Sequence, residues 1–307
     1  MKKIKFLVIA AITAVLMSAC GTTQTVPLTG RKHNLRVTDQ QVLSLSSQEY
    51  TKYMASAKKS TNSANTAMVQ RVGKNLASAV ETYLKNNGFA SEISNFSWEF
   101  NLVQNNEVNA FCMPGGKIVV YEGLLPYTQN ETGLAIVLGH EIAHAVAKHS
   151  AEQLSKQMNQ QTGTQILGSV LNQAVGDGVG DLASAVAGQY FSFRNLKYSR
   201  DNELEADYMG LVFAAMAGYD PQQAIPFWQR MSQNSSSQSD FFSDHPSDAK
   251  RIAAIQQHMP VALKYYQAAK PAVTTTTKKT TTSTKKTTTK KTTTTKKTTS
   301  TKKTTRR

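Results

Sequence analysis

The chain has 307 residues and a formal charge of +15, from 35 basic and 20 acidic side chains. The excess sits at the ends, in Lys2, Lys3 and Lys5 and in twelve Lys and Arg beyond residue 270. Residues 20 to 270 are therefore neutral and show no nucleic-acid-binding signal, and two cysteines are too few for a disulfide framework.

Residues 1–19 read as an export signal: a basic start, then an apolar run from Phe6 to Met17 that is too short to span a bilayer permanently. Ser18-Ala19-Cys20, directly after that run, resembles a bacterial lipoprotein cleavage box. The resemblance implies cleavage before Cys20 and acylation of its thiol, with enough acyl chains for a stable membrane anchor. Gly21 in the second mature position is compatible with sorting to an outer membrane facing the periplasm. Residues 20–37, with their Thr, Pro and Gly, read as a lipid-anchored tether. Thr38 suits the N-cap of a helix over 39–58, and a second helix over 64–86 should stop at Asn87-Gly88. Phe96, Trp98, Phe100 and Leu102 alternate as in a strand; 108–112 and 117–121 read as two more, joined by a turn at Met113-Pro114-Gly115-Gly116. From about 130 the pattern is helical almost throughout. The Ala- and Val-rich stretch 162–188 is interrupted by Gln165, Asn172, Asp177 and Asp181 and is not read as a membrane span.

Residues 38–270 thus form one α+β domain, mainly helical with a small antiparallel sheet. Residues 271–307 repeat Thr runs and Lys pairs with no acidic residue. Such a segment cannot bury a core; it reads as a disordered cationic tail able to contact anionic polymers or lipid head groups.

The strongest chemical signal is His140-Glu141-Ile142-Ala143-His144. Spacing of i, i+4 on a helix puts both imidazoles on one face, where both reach a single zinc ion. Glu141, displaced around the helix, is placed to act as general base on water and to carry the proton to a leaving amine. A third protein ligand is needed. The segment Arg200-Asp201-Asn202-Glu203-Leu204-Glu205-Ala206-Asp207 offers Glu203, Glu205 and Asp201, and the residues themselves do not choose among them. Glu205 resembles a solvated acidic helix face. His149 rotates off the ligand face of a continuous helix and reads as structural. His33 and His258 have no partner pattern.

Four blocks decide the ligand question. They are Asn109-Ala110-Phe111 with Pro114-Gly115-Gly116 and Gly123-Leu124-Leu125; Gly139 to His144; Ser199 to Glu203 with Ala206-Asp207; and Asp244-His245-Pro246 with Arg251. In order and spacing, over about 38–260, the chain resembles the HtpX-type and CAAX-prenyl-protease-type zinc metallopeptidases, metallopeptidase family forty-eight, especially their soluble periplasmic lipoprotein members. The resemblance implies a gluzincin fold and one zinc per chain, held by His140, His144 and Glu203. It implies that Asp207 orients a zinc-bound imidazole, with Arg251 nearby. It also implies that substrate adds as a strand to a sheet edge at Asn109, Ala110 and Phe111. His245 then lies near the zinc, either donating to the oxyanion or occupying the open position and keeping the enzyme off; the second role is favoured.

The sequence therefore reads as a lipid-anchored zinc metalloendopeptidase acting on misfolded cell-envelope proteins. The alternative is an assembly chaperone that binds extended chains and cleaves rarely. The intact Glu141 favours the first.

Overall fold

The computed structural model describes residues 21–158, 192–194, 196–233 and 249–269. Cys20, His245, the signal segment and the Thr/Lys-rich tail lie outside the described residues.

The first element differs from the expected tether. Strands β1 (Thr22–Thr25) and β2 (Lys32–Leu35) pair antiparallel, Thr22 opposite Leu35 and Thr25 opposite Lys32. Pro27 and Gly30, which suggested a linker, belong to the turn of a hairpin, closed by Val26 N–H to Arg31 O at 2.8 Å and Gly30 N–H to Val26 O at 3.0 Å. Val26 and Leu35 are buried, so the hairpin joins the core.

Helix α1 (Asp39–Ser56) starts as expected at Thr38, whose side chain and that of Gln41 form a reciprocal capping box. Val42, Ser46 and Tyr50 form its buried stripe. Helix α2 (Ser63–Asn86) buries Val69, Val72, Leu76, Val80 and Leu84, a helical period facing the core.

The sheet has the order β3 (Glu99–Val103), β5 (Lys117–Tyr121), β4 (Ala110–Met113). β4 pairs antiparallel with β5, but β3 pairs parallel with it, so the sheet is mixed rather than all antiparallel. Residues 104–109 carry the chain past one strand position before it turns back. This leaves the wholly apolar Ile118-Val119-Val120 in the doubly bonded centre and puts β4 on the edge.

Helix α3 (Glu131–Val146) is capped by Asn130 and buried on nearly all sides: β4 and α2 pack on it, and helix α4 (Arg200–Met216) makes its largest contact. Ser199 and Asn202 form a capping box at the start of α4. α3 and α4 meet backbone to backbone. A Cβ on Gly139 would lie 2.7 Å from Gly210 O, and one on Gly210 would lie 2.6 Å from His140 N. Only glycine at both positions permits this approach. Helices α5 (Ala224–Gln233) and α6 (Ala249–Ala269) cover the outer side, α6 packing along α4. Among the described residues no helix is long and apolar enough to cross a membrane.

Candidate metal centre

α3 turns its polar side toward α4 at one point. His140, His144 and Glu203 are each no more than 3% exposed and bring one donor atom apiece within 4.8 Å of one another. The two Nε2 atoms are 3.0 Å apart. Glu203 places Oε2 3.3 Å from His140 Nε2 and Oε1 3.4 Å from His144 Nε2. Donors about 2.05 Å from a tetrahedral zinc are about 3.3 Å from each other, so the spacing fits that ion. Of the carboxylates left open by the sequence, Glu203 alone meets both imidazoles.

The far side of each ring fixes which nitrogen faces the centre. His140 Nδ1 donates to Asp207 Oδ1 at 3.0 Å, which leaves the Nε2 lone pair for a metal. Asp207 is in turn gripped by Arg251, with Nε to Oδ2 and Nη2 to Oδ1 both at 2.7 Å. Arg251 Nη1 also lies 3.1 Å from Glu203 Oε2. Its guanidinium, 2% exposed, lies 4.3 Å from the Trp228 ring centroid, and Trp228 meets His140 edge-on. Asp207 thus lies between the His140 ring and the Arg251 guanidinium.

Burial alone would lower the His140 pKa. Hydrogen bonds and charges from Asp207 and Glu203 more than offset it and raise the value to about 9. The same field favours a bound dication. Burial holds His144 well below the usual histidine value, Glu203 opposing and the neighbouring His140 and His149 adding to the effect.

Sequence reasoning missed four participants. His149 Nδ1 is 2.9 Å from His144 Nδ1, and His149 Nε2 is 2.9 Å from Glu205 Oε2. The expectation that His149 rotates away assumed one continuous helix. Instead residues 147–148 form a turn, with Lys148 at φ 55°, and a new helical segment over 149–158 starts with His149 aimed back at His144. Glu205, read as solvated, has a side chain only 7% exposed. Tyr198 stacks on His144 with centroids 4.0 Å apart and shares a hydrogen bond with Ser150. Arg31, from the hairpin, meets Glu205 through Nε at 2.7 Å. The spacing of five between His144 and His149 was the available signal. His33 and His258 do not join the centre.

Glu141, 3% exposed, follows His140 on α3, close enough to Cys112 and Tyr198 for its charge to help raise both their pKa values; burial is the larger cause in each. Cys112 belongs to β4, so the edge strand and the glutamate are neighbours. Ala110 and Phe111 lie in β4, and Asn109 just before it accepts from Tyr121 N–H at 3.0 Å. All three are at most 5% exposed. A cleft of about 410 Å³ opens beside Asn109, lined also by Tyr53, Glu107, Tyr121 and Arg194.

Known proteins resemble the chain over this same region. The family model for peptidase family M48 matches residues 63–259. The mitochondrial metalloendopeptidase OMA1 of Schizosaccharomyces pombe is 36% identical over 183 residues, 56% of this chain and 50% of that one. The human mitochondrial metalloendopeptidase OMA1 is 30% identical over 246 residues, 78% of this chain and 46% of its own. The beta-barrel assembly-enhancing protease of Escherichia coli K12 is 26% identical over 161 residues, 51% of this chain and 33% of its own. The chain spans about half or less of these curated relatives.

Proposed function

The chain belongs to peptidase family M48, and from that premise we propose that it is a lipid-anchored zinc metalloendopeptidase hydrolysing peptide bonds of misfolded cell-envelope proteins. The observation that carries this reading is the convergence of His140, His144 and Glu203, with Glu141 on the same helix and β4 packed across it. The donor set suits zinc, which supplies a Lewis acid for the scissile carbonyl and acidifies water. Glu141 takes the proton from the attacking water and passes it to the leaving amine. Asp207, clamped by Arg251, holds the His140 ring in place. An extended substrate adds alongside the edge strand β4 at Asn109, Ala110 and Phe111, so that backbone hydrogen bonds hold the scissile bond whatever the side chains.

The signal pattern ending in Cys20 supports a lipid anchor, and Gly21 supports outer-membrane sorting. The relative from Escherichia coli is named for beta-barrel assembly, and a periplasmic client set of unfolded proteins follows that likeness. His245 is assigned the self-inhibiting role at the open zinc position, and the cationic tail contact with anionic polymers.

The test uses the full mature chain. Wild type should bind about one zinc and digest casein. Glu141→Gln should keep the zinc and lose activity by about 10²–10⁴-fold, the range for a general base. Undiminished casein digestion by that variant would overturn the role of Glu141; a wild type that binds zinc and never cleaves would favour the chaperone.

A further inference from the structure

The two zinc-ligand rings differ in what stands behind them. Asp207 serves His140 directly, whereas the Nδ1 of His144 meets another imidazole, that of His149. With Nε2 given to the metal, His144 carries its proton on Nδ1 and donates it to His149 Nδ1. His149 then carries its own proton on Nε2 and donates to Glu205 Oε2. Each step has one donor and one acceptor, so the chain is satisfied in one tautomeric state only. Glu205 is held by two groups of the N-terminal hairpin, Arg31 Nε at 2.7 Å and Thr29 Oγ1 at 2.6 Å. Arg31 is fixed in turn by Glu152, Nη2 to Oε2 at 2.8 Å. His149 is fully buried, and the side chains of Glu205 and Glu152 are 7% and 11% exposed. A polar chain this deep in the protein is costly unless every member is partnered.

We propose that His149, Glu205 and Arg31 are positioning residues for the zinc ligand His144, which makes the N-terminal hairpin a working part of the metal centre. The proposal rests on the zinc-peptidase reading above. Its requirement at position 149 is specific: a side chain that accepts from His144 and donates to Glu205 at once. Gln meets it, because its amide carries an acceptor and a donor on one carbon, as imidazole's two nitrogens flank one carbon. Leu fills similar volume and meets neither need.

The experiment is zinc affinity of the full mature chain, by competition with a chromogenic chelator, together with the visible spectrum of the cobalt-loaded protein. His149→Leu should weaken zinc binding by about 10–100-fold, the range for partners of metal-bound imidazole, and shift the cobalt bands. His149→Gln should recover most of the loss. A merely structural role would lower the melting temperature equally with and without chelator and leave the competition curve in place. That result, or wild-type affinity in His149→Leu, overturns the relay. Should His149→Leu fail to fold, Arg31→Met decides, since its side chain is 33% exposed at the hairpin. A loss of zinc affinity there supports the relay, and no change overturns it. His144→Ala separates the two readings. If it loses zinc while the relay variants do not, only the relay fails; if it binds zinc like wild type, the metal centre itself is wrongly assigned.

Discussion

His140 and His144 sit one helical turn apart, yet their supports end in different surroundings. Behind His140 the chain Asp207–Arg251 closes on itself in the interior, with Arg251 2% exposed and under Trp228. Behind His144 the chain His149–Glu205–Arg31 runs outward and ends on a hairpin arginine that is one-third exposed. The inner support is short, charged and dry, and breaking it strands a charge. The outer support is longer and ends near water, where ion pairs weaken and salt screens them. The supports of His140 and His144 therefore differ in robustness, and the weaker one is tied to the segment next to Cys20.

The largest effect should come from breaking the inner support. Arg251→Met takes the guanidinium from two buried carboxylates, Asp207 and Glu203, and leaves the His140 ring between them. It should cost about 3–5 kcal/mol in denaturant unfolding with chelator present. A cost below about 1 kcal/mol would mean that the inner ion pairs are no stronger than surface ones. Next, Glu203→Ala and Glu205→Ala separate ligand from support. Chelator competition should show Glu203→Ala losing more than the about 10–100-fold expected for an outer partner, and Glu205→Ala falling within that range. Equal losses would erase the distinction. Were Glu205 only a solvated helix face, Glu205→Ala would leave zinc affinity intact.

A smaller effect is expected from Arg31→Met on global stability, about 1 kcal/mol or less, because the guanidinium is one-third exposed and Glu205 and Glu152 keep their other partners, His149 and Thr29, and His33 and Lys156. The same change should make zinc affinity less dependent on salt. The smallest concerns acid. Burial would raise the pKa of Glu152, but His33, Arg31 and Lys156 together hold it well below the ordinary carboxylate value of 4.5. Glu205 is likewise lowered against its burial by His149, Thr29 and Arg31. A depressed folded pKa gives stability that is fully present above 4.5 and is lost as pH falls through the folded value. Amide exchange in β1 and β2 should therefore speed up below pH 4.5 before exchange in α3 does. Simultaneous loss would show that the hairpin is not the weaker end.

Much of this was legible from spacing. The i, i+4 histidines, the Thr38 cap and the β4–β5 turn are local patterns, and each formed as read. Glu203 was not local: it reaches the histidines from a helix some sixty residues on, and only resemblance selected it over Glu205 and Asp201. The outer support was misread for two connected reasons. A lysine at φ 55° is an uncommon place for a helix to break, so nothing marked Lys148 as the point that returns His149 to the centre. The hairpin was taken for a tether because turn residues and linker residues have the same composition. With Arg31 supposed free, Glu205 had no visible partner.

The glycine contact between α3 and α4 has a mechanical consequence. Gly139 and Gly210 leave no side-chain cushion between the two backbones, so the helices cannot slide past each other by repacking. What remains open to them is rocking about that point. Glu203 stands seven residues along α4 from the fulcrum, roughly 10 Å at helical rise, so a tilt of about 5° carries its carboxylate about 1 Å. A displacement of that size can cost about a hundredfold in rate. The crossing thus works as a pivot with Glu203 on its lever arm.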